Sequence, residues 1–83
     1  MGLKPRTLEI LQFCDRYLRE HTVGPTMSEI AAGASCTKGG AAYQMNVLEM
    51  QGLIRRKRFG GSVVSRHLRV TKAGKAALEA SGA

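Results

Sequence analysis

Hydrophobic positions in this chain recur at helical spacing as far as Leu48 and then, past residue 52, fall in two short strand-like runs before the last helical stretch. Ile10, Leu11, Cys14, Tyr17 and Leu18 fall on one stripe of a helical wheel, with Phe13 at its margin. Arg6, Glu9, Gln12, Asp15, Arg16 and Arg19 fall mostly outside it. The pattern predicts a scaffold helix from Pro5 to Glu20, with Pro5 in a first turn that needs no N–H from it. Val23-Gly24-Pro25 then interrupts the periodicity. Thr26-Met27-Ser28-Glu29 has the spacing of a capping box and opens a short helix, Met27 to Gly33, with Ile30 and Ala31 inward. Gly33-Ala34-Ser35-Cys36 makes a turn, and Thr37 caps a third helix from Lys38 to about Gln51.

The third helix is two-faced. Ala41, Met45 and Leu48 share one side, with Gln44 alongside. The other carries Gly39, Tyr43, Asn46 and Met50, flanked by Ala42 and Lys38. Tyr43 is out of place as a large aromatic directed at solvent, and two explanations stand open. Either it packs on a neighbouring loop or hairpin, or it touches a ligand surface. Gly39 and Gly40 each cost about 1 kcal/mol against Ala inside a helix. They mark either a frayed first turn or a helix end kept bare so that a phosphate backbone can approach it.

Gly52 ends that helix. Leu53–Phe59 and Val63–Val70 read as two strands joined at Gly60-Gly61, with Leu68 and Val70 on one face and His67 and Arg69 on the other. Thr71 caps a final helix from Lys72 to about Ala80, whose apolar face of Ala73, Ala76, Ala77 and Leu78 is thin. The fold class expected is α+β, mainly α: a three-helix core, a two-stranded β-wing and a short C-terminal helix. Residues 1–83 are expected to form one domain with one small core.

Charge changes the picture through its placement. The formal net charge is +7, and Lys/Arg and Asp/Glu cancel up to Ile54, so the excess lies on the hairpin and the tail. Arg55, Arg56, Lys57, Arg58, Arg66 and Arg69 decorate the ribbon, with no acid expected nearby. Such a run can be a solvated edge that blocks aggregation. Following a helix-turn-helix, it points to phosphate contact instead. The third helix is then the one to enter a DNA major groove, which admits a single α-helix.

Other classes fare worse. The start of the chain lacks an apolar signal region, no stretch approaches the roughly 20 apolar residues of a membrane span, and a cytoplasmic, nucleoid-associated protein is expected. Cys14 and Cys36 with His21 and His67 contain the atoms for a zinc site but lack close-spaced ligand pairs, and both cysteines fall on apolar faces. No metal and no cofactor are expected. Neither a Walker-type phosphate loop nor paired acids in a cleft are present, so the chain is not expected to be an enzyme.

Several segments resemble known DNA-binding domains. Arg6 with Glu9-Ile10-Leu11, Gly24-Pro25-Thr26-x-x-Glu29-Ile30-Ala31 and Leu48-Glu49-x-x-Gly52-Leu53-Ile54-Arg55-Arg56 resemble the winged helix-turn-helix of LexA-type repressors, over about Leu3 to Leu68. Gly52-Leu53-Ile54-x-Arg56 with Leu68-x-x-Thr71-x-x-Gly74 is similar to MarR-type regulators. The resemblance implies a recognition helix whose early residues face base edges: Thr37, Lys38, Gly39, Ala42, Tyr43 and Asn46. It departs from the LexA-type pattern at Ser35, where Gly is usual, at Cys36, where a branched apolar residue is usual, and at Lys4, where Thr usually caps the first helix. A looser turn is expected from the first two. The recognition face differs as well, so no operator sequence transfers. With the chain ending at Ala83, no self-cleaving domain is expected.

The leading expectation is therefore a sequence-specific regulator of transcription, a repressor by occupancy, partnered by double-stranded DNA. A homodimer formed only on DNA is compatible with the thin last helix. Two alternatives are a winged-helix protein-interaction module and a phage or plasmid accessory DNA protein.

Overall fold

A computed structural model describes residues 3–81 of the chain. The order of elements is α1 (Pro5–Glu20), α2 (Met27–Gly33), α3 (Lys38–Met50), β1 (Ile54–Phe59), β2 (Ser62–Val70) and α4 (Lys72–Ala80). Each predicted element is present, with strand ends displaced by one residue and Gln51 serving as the C-cap of α3. This is a winged helix-turn-helix.

The predicted caps operate. Thr26 Oγ1 accepts from the Glu29 N–H at 3.2 Å, while the Glu29 carboxylate accepts from the Thr26 N–H at 2.8 Å. Thr37 and Thr71 each accept from the backbone N–H three residues on, those of Gly40 and Gly74. Lys4 provides no side-chain cap to α1. The turn between α2 and α3 is not loose. Ala34 N–H, Ser35 N–H and Cys36 N–H donate to the carbonyls of Ile30, Ala32 and Ala31, and Ser35 itself takes the left-handed φ of 54°. A short polar side chain can adopt that conformation without glycine, at a modest cost.

Ile10, Leu11 and Cys14 of α1, Ile30 of α2, Met45 and Leu48 of α3 and Ile54 of β1 are the large fully buried side chains. Leu53, Val70 and Leu78 complete the core and bring the base of the ribbon and α4 onto it. Among the described residues Thr7 is the polar one classed with the core, and its hydroxyl donates to Gln44 Oε1 at 2.5 Å. Gln44 therefore ties α1 to the inner edge of α3.

The two strands pair antiparallel, Ile54 with Val70, Arg55 with Arg69, Arg56 with Leu68, then Arg58 with Val63 and Phe59 with Ser62. Between these two blocks Lys57 lies against the stretch from Val64 to His67, so β2 bulges. Arg66 sits in the bulge with φ 68°. The tip turns at Gly60 and Gly61, with φ of 59° and 86°, as a tight hairpin demands. Gly74 has a different reason. A Cβ there would lie 2.1 Å from the Leu53 carbonyl oxygen, so only glycine lets α4 come this close to the ribbon's base.

Candidate nucleic-acid interface

The outward face of α3 is uncovered. Tyr43 is 65% exposed and Met50 87% exposed, with Asn46 exposed between them and Gly39 exposed one turn before Tyr43. Lys38 and Thr37 are exposed at the helix start, and Ala42 is half-buried. Tyr43 thus lies open to solvent rather than buried against a loop or the ribbon. At Gly39 an added Cβ would meet only Thr37 Oγ1, at 4.0 Å, which leaves the first turn bare.

The six ribbon cations do not form one set. Arg55, Lys57 and Arg69 are exposed, and Arg55 and Arg69 stand opposite each other across the strands. Arg56 and Arg58 turn toward the end of α3 and converge on Glu49. Arg58 grips that carboxylate with both terminal nitrogens, at 2.6 and 2.7 Å. Arg56 reaches Glu49 Oε1 through Nε at 3.2 Å and Nη2 at 2.7 Å. The expectation of a ribbon with no acid nearby fails here, because the hairpin folds back on a helix that carries an acid in its last turn. Glu49 responds accordingly. Hydrogen bonds from Arg58, and then from Arg56, hold its carboxyl down at about 2, against an ordinary 4.5, although partial burial opposes the shift.

Arg56 is the deepest of the six, its side chain only 5% exposed against 47% for Arg58. Its Nη2 also donates to Asn46 Oδ1 at 2.7 Å. A residue expected to grip phosphate is thus enclosed between two side chains of α3, while Arg58 keeps a solvent-facing edge.

Arg66 departs further from expectation. The bulge turns its side chain toward α1 and α2, where Nη1 donates to Tyr17 Oη at 3.1 Å and lies 3.1 Å from Glu29 Oε1. The backbone locks the same contact, since Gly24 N–H donates to the Arg66 carbonyl at 2.9 Å. Glu29 is held below its ordinary value by the Thr26 N–H first and by Arg66 after it. Arg66 is a strut between the ribbon and the loop before α2. A bulge that reverses one side chain leaves no mark in a strand's alternation, which is why its direction escapes the sequence.

Glu49 and Glu29 were missing from the sequence-predicted site. The available signal was weak: Glu49 sits in the last turn of α3, shortly before Arg56 and Arg58, and a hairpin returning along that helix would bring them together. The candidate metal ligands do not converge, and no group of three His, Cys, Asp or Glu residues among the described ones is placed to hold an ion. Cys14 is buried beside Met45 Sδ, 3.9 Å from its sulfur, and burial pushes its thiol up to about 12. Among the described residues no helix is long and apolar enough to cross a membrane.

Neither a protein-family model nor a curated protein matches the sequence. Solved structures do match the fold. One is MepR, a transcription regulator of the Staphylococcus aureus multidrug efflux pump MepA, with a TM-score of 0.74 and 19% identity over 94% of this chain. A MepR–DNA complex from S. aureus matches with a TM-score of 0.75 and 19% identity over 96% of this chain. A MarR family protein from Bacillus stearothermophilus gives 0.69 and 20% over 96%. This chain spans 54%, 62% and 51% of those three chains respectively, about half their length. The LexA-type resemblance is not shown by these structures. What they establish for this chain is the architecture, a winged helix of the kind MarR-family regulators carry.

Proposed function

We propose that this chain binds double-stranded DNA as a sequence-specific regulator of transcription, a repressor by occupancy, with α3 in the major groove and the ribbon on flanking phosphates or the adjacent minor groove. It is a binding protein rather than an enzyme. One observation carries the reading: the uncovered α3 face of Thr37, Lys38, Gly39, Tyr43 and Asn46 lies beside a ribbon whose exposed cations have no acid on their own strands. Support also comes from the likeness in fold to a protein solved bound to DNA. The phosphate set is revised from six to Arg55, Lys57, Arg58 and Arg69, since Arg56 and Arg66 are held by α3 and by α1–α2. Arg58 belongs to the set through its open edge. A second copy on an adjoining half-site fits the same reading, because operator symmetry mirrors protein symmetry.

The test is the salt dependence of duplex binding by fluorescence anisotropy. With about four phosphates neutralised, log K falls against log salt with a slope of about −4. A slope near zero contradicts the proposal. Arg55→Ala and Arg69→Ala each reduce the slope by about one while leaving sequence preference intact.

A further inference from the structure

We propose that Arg56 is a positioning residue for base recognition, acting through Asn46 rather than on a phosphate; the inference rests on the DNA-binding reading above. Three observations converge on it. The Arg56 side chain is almost wholly enclosed, 5% exposed, which removes it from the reach of a DNA backbone. Glu49 braces it through two hydrogen bonds, at Nε and Nη2. The same Nη2 donates to the side-chain oxygen of Asn46 at 2.7 Å, and Asn46 stands on the exposed face of α3.

The chemistry of this contact fixes which way the amide faces. A guanidinium has donors and no acceptor, so only the oxygen of the Asn46 amide can meet it. The amide's NH2 group is thereby turned away from Arg56. An unbraced asparagine can flip about its last torsion and offer either end to a groove. Here the flip would set NH2 against the guanidinium, donor against donor, and lose the bond to a charged group. Glu49 holds Arg56 in turn, so the three side chains form a relay from the ribbon to the α3 surface.

An asparagine fixed in this way presents hydrogen-bond donors to the base edge it meets. Acceptors in the major groove are N7 of either purine, O6 of guanine and O4 of thymine, whereas cytosine offers its N4 amino group, a donor. On the strand that Asn46 reads, the relay therefore disfavours cytosine. Adenine satisfies both ends of the amide, its N7 accepting from the NH2 and its N6 amino group donating to the oxygen's second lone pair, whereas cytosine reaches only that lone pair and leaves the NH2 without an acceptor.

The experiment is a selection of bound duplexes from a random pool, followed by affinity and salt titrations for wild type, Arg56→Ala, Asn46→Ala, the double variant and Asn46→Asp. Wild type shows one position at which cytosine is selected against. Arg56→Ala and Asn46→Ala each weaken that selection by about tenfold, the double variant is no worse than Asn46→Ala alone, and the salt slope of Arg56→Ala stays at the wild-type value. Asn46→Asp guards against a variant that fails to fold, because its carboxylate keeps the bond to Arg56. It offers acceptors to the groove and moves the preference at the same position toward cytosine. A salt slope reduced by about one in Arg56→Ala with base preference unchanged overturns the proposal and returns Arg56 to the phosphate set. Additive losses in the double variant, or no shift toward cytosine in Asn46→Asp, also overturn it. Absence of duplex binding by the wild type fails the DNA-binding reading itself, and this inference falls with it.

Discussion

The carboxylate of Glu49 lies where α3 meets the ribbon, and its ionisation is tied to the fold. Its value of about 2 in the native state lies below the ordinary 4.5, so the unfolded chain takes up its proton first as pH falls. The stability it contributes is therefore complete above about pH 5, and drains away between the ordinary value and about 2. Urea titrations across that range show a decline for the wild type that is shallower in Glu49→Gln. Equal declines in the two proteins contradict the assignment. Little of this was visible at the level of single residues in the sequence. The exposed positions of α3 followed from the helical wheel, because a buried stripe of Ala41, Met45 and Leu48 dictates what faces outward. The partners of Arg56, Arg58 and Arg66 did not, because each bond depends on how the hairpin is laid against the helices.

Elements were far more legible than their side-chain partners, for a local reason. Thr26, Thr37 and Thr71 each begin a helix through an oxygen that reaches a backbone N–H three residues on, a contact fixed by sequence spacing alone. Thr26→Ala removes one half of the capping box and costs about 1 kcal/mol in unfolding free energy by denaturant titration; no change contradicts the cap. Gly74 is the opposite case, since its requirement comes from α4 lying against the Leu53 carbonyl. Gly74→Ala destabilises by on the order of 1–3 kcal/mol, as overpacking does, even though alanine is the better helix former. A stabilised variant in the same titration contradicts the close approach. The bulge at Arg66 belongs with Gly74: both are set by contacts between elements, and strand alternation carries no record of either.

At the scale of the whole molecule, charge and exposure set an exposed cationic ribbon apart from the helices that carry the acids. The net charge of +7 resides beyond Ile54, while α1 and α2 with their acids surround the core. Glu49 and Glu29 then draw three of the ribbon's cations inward and leave Arg55, Lys57 and Arg69 fully facing outward, with one edge of Arg58. Architecture was readable from the sequence because capping, periodicity and the Gly-Gly turn all agree. The motifs at Gly52-Leu53-Ile54 and Thr26-x-x-Glu29 serve that architecture in more than one family and do not single one out. The account stands on the α3 face and the outer ribbon acting together on DNA. Mapping of backbone amide shifts on adding a duplex tests this most directly. The prediction is perturbation over residues 37–46 and at Arg55, Lys57, Arg58 and Arg69, with the α4 amides unmoved. Perturbations that bypass 37–46 and gather on α1 or α4 contradict it.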